Sequence, residues 1–251
     1  MLSCEIRDRV AYLELDHPPV NILSQSLMDK LADTLETLAS DDSLVALLIR
    51  GKGKAFSAGA DIGEHEPERA AGMISSFSRL FRNLDSLEIP VLMTVHGAAL
   101  GAGFELAMMA DLLLASESAT FGQPEIRLGF FAPIGVVELP ALVGRARAME
   151  ITCSGKTYAA EELRGMGFPL RVLGESELEE ETEKVLKDFR RASSLVMRLN
   201  VRTLKKLRGR PFRESLAEAE RVFLEELMSA EDPREGIAAF YEKRRPEWKN
   251  R

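Results

Sequence analysis

Cysteine is nearly absent: the 251 residues hold two, Cys4 and Cys153. Two thiols so far apart in the chain provide neither metal-ligand spacing nor a disulfide framework, so a zinc module and a stapled mini-fold drop out, and a reducing cytoplasm is the expected compartment. Long apolar runs are missing too. None approaches the roughly 20 residues needed to span a bilayer, and "MLSCEIRDRV" lacks the apolar centre of a secretory signal, so neither export nor a membrane span is expected. Basic charge is not in excess: 33 Lys and Arg against 40 Asp and Glu leave a net charge of −7, which gives no general pull on nucleic acid. The basic stretch "VRTLKKLRGR" (201–210) reads as a solvated helix end. Two nucleotide signatures also fail. "GAGFEL" (101–106) has Leu106 where a dinucleotide fingerprint needs a third small residue, and "GKGKAFSAG" (51–59) lacks the G-K-[ST] of a phosphate loop.

What is present is an ordinary globular composition, 45% hydrophobic and 29% charged, long enough to bury a large core. "CEIRDRVAYLEL" (4–15) suggests a β-hairpin, and "LVALLIRG" (44–51) a buried strand ending at glycine. Between them Leu27, Leu31, Leu35 and Leu38 recur at helical spacing behind Ser24, a candidate N-cap. A helix over 67–87, strand 91–95, helix 102–110 and strand 111–116 continue the alternation, which makes the fold class α/β. From 176 onward no strand pattern occurs. "DPRE" (232–235) offers Asp232 as N-cap, proline at the first helical position and Glu235 at the third. The chain therefore divides into a core over 1–190 and a helical region over 191–251, whose apolar residues Phe212, Leu216, Val222, Phe223, Leu227, Ile237, Phe240 and Tyr241 call for a partner surface on the core or on a neighbouring subunit.

The segment "HGAALGAGFELAMMAD" (96–111) places one carboxylate, Glu105, in an oily, glycine-broken stretch between a strand and a short helix. Burying it is costly, so it is either solvent-exposed or kept for a task, and apolar surroundings should raise its proton affinity. Two glycine-bearing turns, "FSAGAD" (56–61) and "LGAGFE" (100–105), each follow a strand. Their backbone N–H groups can form an oxyanion hole for a thioester enolate; the rival reading is that these glycines only pack a helix against a strand. Glu125, 20 residues after Glu105, supplies a second carboxylate for acid–base work, its own rival readings being a turn residue or a salt bridge to Arg127. No metal site or redox cofactor emerges.

Together "AFSAGADIGE", "VHGAALGAGFELAMMADLLLAS", "ATFGQPEIRLG" and "GKTYAAEELRGMGF" resemble, in order and spacing, the signatures of the crotonase (enoyl-CoA hydratase and isomerase) superfamily. The resemblance covers most of the chain. It implies a spiral of ββα units with two near-perpendicular sheets, a C-terminal helical trimerisation region that also closes the pocket, and trimers often paired into hexamers. It also implies an acyl-CoA substrate, with coenzyme A entering as part of that substrate and no separate cofactor. By motif position Ala60 and Ala102 become the oxyanion donors, the family more often having glycine at the second; Glu105 becomes the base and Glu125 the proton donor of a hydratase. Ala58, Asp61, Ile62 and His65 around the first turn become substrate-binding candidates, with an exposed loop residue as the alternative for His65. Lys243 becomes a contact for the nucleotide of coenzyme A from an adjacent subunit, or else a surface lysine.

One departure narrows the expectation. Straight-chain hydratases continue after "LG" with a glycine-rich I-P-G-x-G-G-T-Q type segment, whereas this chain reads "LGFFAPIGVVELPALVG" (128–144). With "GEHEP" (63–67) and the C-terminal stretch, this resembles the cyclohexa-1,5-diene-1-carbonyl-CoA hydratases of anaerobic aromatic degradation, where Phe130 and Phe131 would face a flat ring. The core is their alternative place. A general short-chain enoyl-CoA hydratase is the alternative function, and a noncatalytic acyl-CoA- or RNA-binding relative the distant one.

Overall fold

The computed structural model describes residues 2–251. Strands β1 (Leu2–Arg7) and β2 (Val10–Leu15) form the expected antiparallel hairpin, turning at Asp8 and Arg9. Helix α1 (Gln25–Ala39) begins where Ser24 Oγ accepts from the Leu27 N–H, and its leucines face the core. Strands β3 (Ala46–Gly51) and β4 (Ala55–Ser57) then lead to α2 (Pro67–Ser86), which buries Met73, Phe77, Leu80, Phe81 and Leu84. The same step repeats as β5 (Val91–Val95), β6 (Ala98–Leu100) and α3 (Ala102–Met108). It repeats again as β7 (Leu112–Ser116), β8 (Thr120–Gly122), a single 3-10 turn (Pro124–Leu128) and α4 (Pro133–Val143).

The first strand of each pair joins one sheet and the second joins another. The larger sheet has the order β1-β2-β3-β5-β7-β10, where β10 is Arg171–Leu173, and it is parallel beyond the hairpin. The smaller sheet has the order β4-β6-β8-β9, where β9 is Thr157–Ala159 and runs antiparallel to β8. This is a spiral of ββα steps built on two sheets. Its main core lies on one face of the larger sheet, with Leu13, Leu15, Leu31, Phe56, Phe104 and Phe121 essentially inaccessible to water. The other face packs Val10, Leu48, Leu92 and Leu114 against Leu186 of α7 (Leu178–Phe189).

Helices α5 (Arg145–Ser154) and α6 (Ala160–Gly165) flank β9, and α8 (Ser194–Leu207), α9 (Phe212–Arg221), a π-helical turn (Val222–Leu227) and α10 (Asp232–Glu242) complete the chain. One local expectation is corrected here. Glu231, not Asp232, occupies the cap position of α10; the Asp232 carboxylate is fully buried and accepts from the backbone N–H groups of Lys249 and Asn250, so it fastens the C-terminal segment instead of its own helix. Phe212, Phe240 and Tyr241 remain nearly four-fifths exposed, so this chain's own core does not receive them. Among the described residues no helix is long and apolar enough to cross a membrane.

Candidate active site

The two glycine turns meet. A Cβ built on Gly59 would lie 2.8 Å from the Leu100 carbonyl oxygen and 3.5 Å from the Ala102 nitrogen, and Gly59 sits at φ 102°, so both space and conformation demand glycine there. The first turn is braced from below by Asn21. Its buried amide donates to the carbonyls of Lys52 (2.9 Å), Ala55 (2.8 Å) and Phe56 (3.1 Å), and Ser57 Oγ donates back to the Asn21 carbonyl at 2.7 Å. The N–H groups of Ala60 and Ala102 donate to no acceptor among the described residues, and both residues line a cavity of about 550 Å³.

Glu105 enters that cavity from α3 and is 1% exposed. One of its oxygens, Oε1, accepts from the N–H groups of Ile134 (2.6 Å) and Gly135 (3.0 Å) in the first turn of α4. Pro133, at the start of that helix, fixes the entry and has no N–H of its own. Burial outweighs these donors and, with the nearby Glu125 charge adding to it, pushes the Glu105 carboxyl up to about 8. The raised proton affinity expected from its sequence neighbours is thus present, and Oε2 is the oxygen left for chemistry.

Glu125 comes from the 3-10 turn after β8 and reaches the same cavity. Burial raises its carboxyl as well, opposed by a backbone hydrogen bond and by His65. With its amide nitrogen turned toward Glu125, the buried Gln123 donates to both carboxylate oxygens, at 3.0 and 2.9 Å. Gly101, at φ 54°, makes room: a Cβ there would lie 2.6 Å from Glu125 Oε1. Arg127 makes no ion pair with Glu125 among the described residues; its side chain lies against Gly155 instead.

The rest of the wall is apolar. Met73, Ile74 and Phe77 come from α2, while Phe130 and Phe131 come from the segment between the 3-10 turn and α4. Ala58, Asp61, Ile62 and His65 all line it, so the structure brings together every expected site residue except Lys243, which is exposed at the end of α10 and outside the cavity wall. Phe130 touches the His65 ring at 4.8 Å between centroids, and Phe131 is 66% exposed, so neither is a core residue. Sequence reasoning missed Asn21, Gln123, and the Ile134 and Gly135 N–H groups. The first two carried a signal, being amides within otherwise apolar or proline-rich stretches; backbone donors carry none.

The enoyl-CoA hydratase/isomerase family model matches residues 5–251. The chain belongs to that family. It is 34% identical over 239 residues to the cyclohexa-1,5-dienecarbonyl-CoA hydratase of Thauera aromatica, covering 95% of this chain and 92% of that one. It is 33% identical over 248 residues to the 2,3-dehydroadipyl-CoA hydratase of Escherichia coli, covering 98% and 97%. The crystal structure of an enoyl-CoA hydratase subunit I from Geobacillus kaustophilus superposes with a TM-score of 0.89 at 32% identity, covering 100% of this chain and 98% of that one. As a member of the enoyl-CoA hydratase/isomerase family the protein is an enzyme, and enoyl-CoA hydration, a hydro-lyase reaction, is its activity at family level.

Proposed function

We propose that the protein hydrates a conjugated cyclic dienoyl-CoA, converting cyclohexa-1,5-diene-1-carbonyl-CoA to 6-hydroxycyclohex-1-ene-1-carbonyl-CoA in anaerobic aromatic degradation. The observation that carries the reading is a pair of buried carboxyls facing one apolar cavity beside two unspent backbone donors. The similarity to the Thauera aromatica hydratase and the Phe130–Phe131 wall support the ring substrate.

The thioester oxygen lies between the Ala60 and Ala102 N–H groups. Such preorganised donors contribute about 3 to 4 kcal/mol to the stabilisation of a developing oxyanion. Water adds its oxygen to the β-carbon, the π pair moves into the enolate, and conjugation through the second double bond carries the charge to the carbon across the ring. A proton delivered there leaves one double bond, next to the thioester. Hydroxyl and proton go to ring carbons in a 1,4 relation, too far apart for one carboxyl to serve both at once, so two proton-handling groups share the addition.

Charge states decide which does what. At neutral pH Glu105, pushed up to about 8 by burial and by the neighbouring Glu125 charge, holds its proton; burial raises the Glu125 carboxyl too, opposed by a backbone hydrogen bond and by His65, and with Glu105 protonated the base role is left to Glu125. Glu125 therefore takes the proton from water and Glu105 delivers its own from Oε2, the reverse of the roles expected from the sequence; the pair shares one proton between turnovers. Coenzyme A arrives with the substrate and no other cofactor enters the scheme. The exposed Phe212, Leu216, Phe223, Phe240 and Tyr241 support a trimer or hexamer, in which Lys243 reaches a neighbour's coenzyme A, and a cytoplasmic location completes the proposal.

The test is kcat/KM of purified protein for cyclohexa-1,5-diene-1-carbonyl-CoA beside crotonyl-CoA, following the gain of one water by mass. Preference for the diene upholds the proposal. Preference for crotonyl-CoA makes the protein a general short-chain hydratase, and hydration of neither leaves a noncatalytic acyl-CoA binder.

A further inference from the structure

Both glycine turns of the site rest on one side chain. Ser57 ends β4, pairs with Ala99 of β6 and is fully buried, outside the cavity wall. Its hydroxyl is spent on main chain in both directions. The O–H donates to the Asn21 carbonyl at 2.7 Å, and the oxygen accepts from the Gly59 N–H at 3.2 Å. The second bond closes a tight loop from Ser57 to Gly59, a serine side chain standing in for a backbone turn. The Leu23 N–H donates to the Gly59 carbonyl at 2.9 Å, so the turn is tied to the Asn21–Leu23 segment at two points. Ala60 is the next residue. On its other side Ser57 meets α3: a Cβ built on Gly103 would clash with the Ser57 carbonyl oxygen and lie 2.8 Å from Ser57 Cβ. Gly103 directly follows Ala102, so the first turn of α3 is seated on the residue that pins the other turn. Main-chain donors cannot be re-aimed by a change of rotamer. Two of them converge on one oxygen, within about 2.7–3.1 Å, only if the turns that bear them are held from outside.

We propose that Ser57 is the positioning residue of the oxyanion hole: through Asn21 and Gly59 it fixes the direction of the Ala60 N–H, and through Gly103 it fixes how far that turn stands from the Ala102 N–H. It acts only through these neighbours. The inference rests on the reading of Ala60 and Ala102 as the oxyanion donors.

The test compares wild type with Ser57→Ala, which removes both hydrogen bonds and keeps the Cβ against α3, and with Ser57→Cys, which keeps a weaker donor and acceptor in place. Ser194→Ala is the control, because Ser194 is also fully buried and its hydroxyl also donates to a main-chain carbonyl at 2.7 Å, that of Asp42, away from the cavity wall. Three readouts are taken: Tm, the separate kcat and KM for crotonyl-CoA, and the infrared carbonyl stretch of bound butyryl-CoA labelled with ¹³C at the thioester carbon, a thioester with no double bond to hydrate. Wild type should hold that stretch below its frequency in water. In Ser57→Ala the stretch should return toward the water value and kcat should fall about tenfold to a hundredfold with KM nearly unchanged, because the donors tighten on the oxygen as its charge develops. Ser57→Cys should fall between the two, and it decides the comparison if Ser57→Ala does not fold. Ser194→Ala should lower Tm yet keep the wild-type kcat and stretch. A wild-type stretch in a folded Ser57 variant, or an equal displacement in Ser194→Ala, would overturn the proposal while leaving the two donors standing. A wild-type stretch no lower than in water would instead remove the donors themselves, and the inference with them.

Discussion

Replacing Glu105 with glutamine should make the protein more stable and nearly inactive at once. In the unfolded chain this carboxyl titrates at its ordinary 4.5, whereas in the fold burial pushes it up to about 8. At pH 7 folding must therefore protonate a group that is ionised in the unfolded state. Each pH unit between 4.5 and 7 costs about 1.4 kcal/mol, about 3 kcal/mol in all. The associated stability is fully present below pH 4.5, declines as pH rises, and is gone above about 8. Glutamine stays neutral throughout and retains an oxygen for the Ile134 and Gly135 N–H groups. Glu105→Gln should thus match wild type near pH 4 and exceed it by about 3 kcal/mol at pH 7, a rise in Tm of roughly 10 °C for a chain of this size. Denaturant unfolding and thermal melts at pH 4.5, 6, 7 and 8 measure the difference directly. A gap between variant and wild type that stays flat with pH would refute the claim that Glu105 is buried against its charge.

Other expectations follow from single contacts. Gly101→Ala forces an L-residue to φ 54° and drives a methyl to within 2.6 Å of Glu125 Oε1, so it should cost about 1–3 kcal/mol of strain and abolish turnover. Gly53→Ala, at φ 87° with open space around it, should show the strain in a melt without the loss of activity. Asn21→Leu removes the two amide hydrogens shared by the Lys52, Ala55 and Phe56 carbonyls, and urea unfolding should register a loss of about 1–3 kcal/mol for each buried carbonyl left without a donor. Phe131→Ala, at a 66% exposed position, should leave the unfolding free energy within about 0.5 kcal/mol of wild type while raising KM for a ring thioester more than for crotonyl-CoA.

Longer elements were legible in the sequence because they carry a period: the leucines of α1, the apolar face of α2 and the continuous runs of β3, β5 and β7 each announce themselves. The strands of the smaller sheet are three residues each, too short for alternation to register, and the second layer came into view only through the family resemblance. Asp232 misled because its sequence context suits a helix cap, while its partners, Lys249 and Asn250, lie 17 and 18 positions further on. At the site, Glu105 stood out as a charge among apolar residues and Glu125 through its motif. The raised proton affinity of Glu105 was legible from its apolar neighbours; the burial that raises Glu125 as well, and the α4 and His65 groups that oppose these rises, were not, because folding alone brings those elements alongside.

The central claim is that two carboxyls share the addition of water. Hydration of a single thioester in ¹⁸O-labelled water by wild type, Glu105→Gln and Glu125→Gln, each shown to be folded by its melt, tests it most directly. The account predicts label in the wild-type product and a fall of about 10² to 10⁴ in rate for each variant, the range expected for losing one acid–base partner. Near-wild-type incorporation by either variant would contradict it.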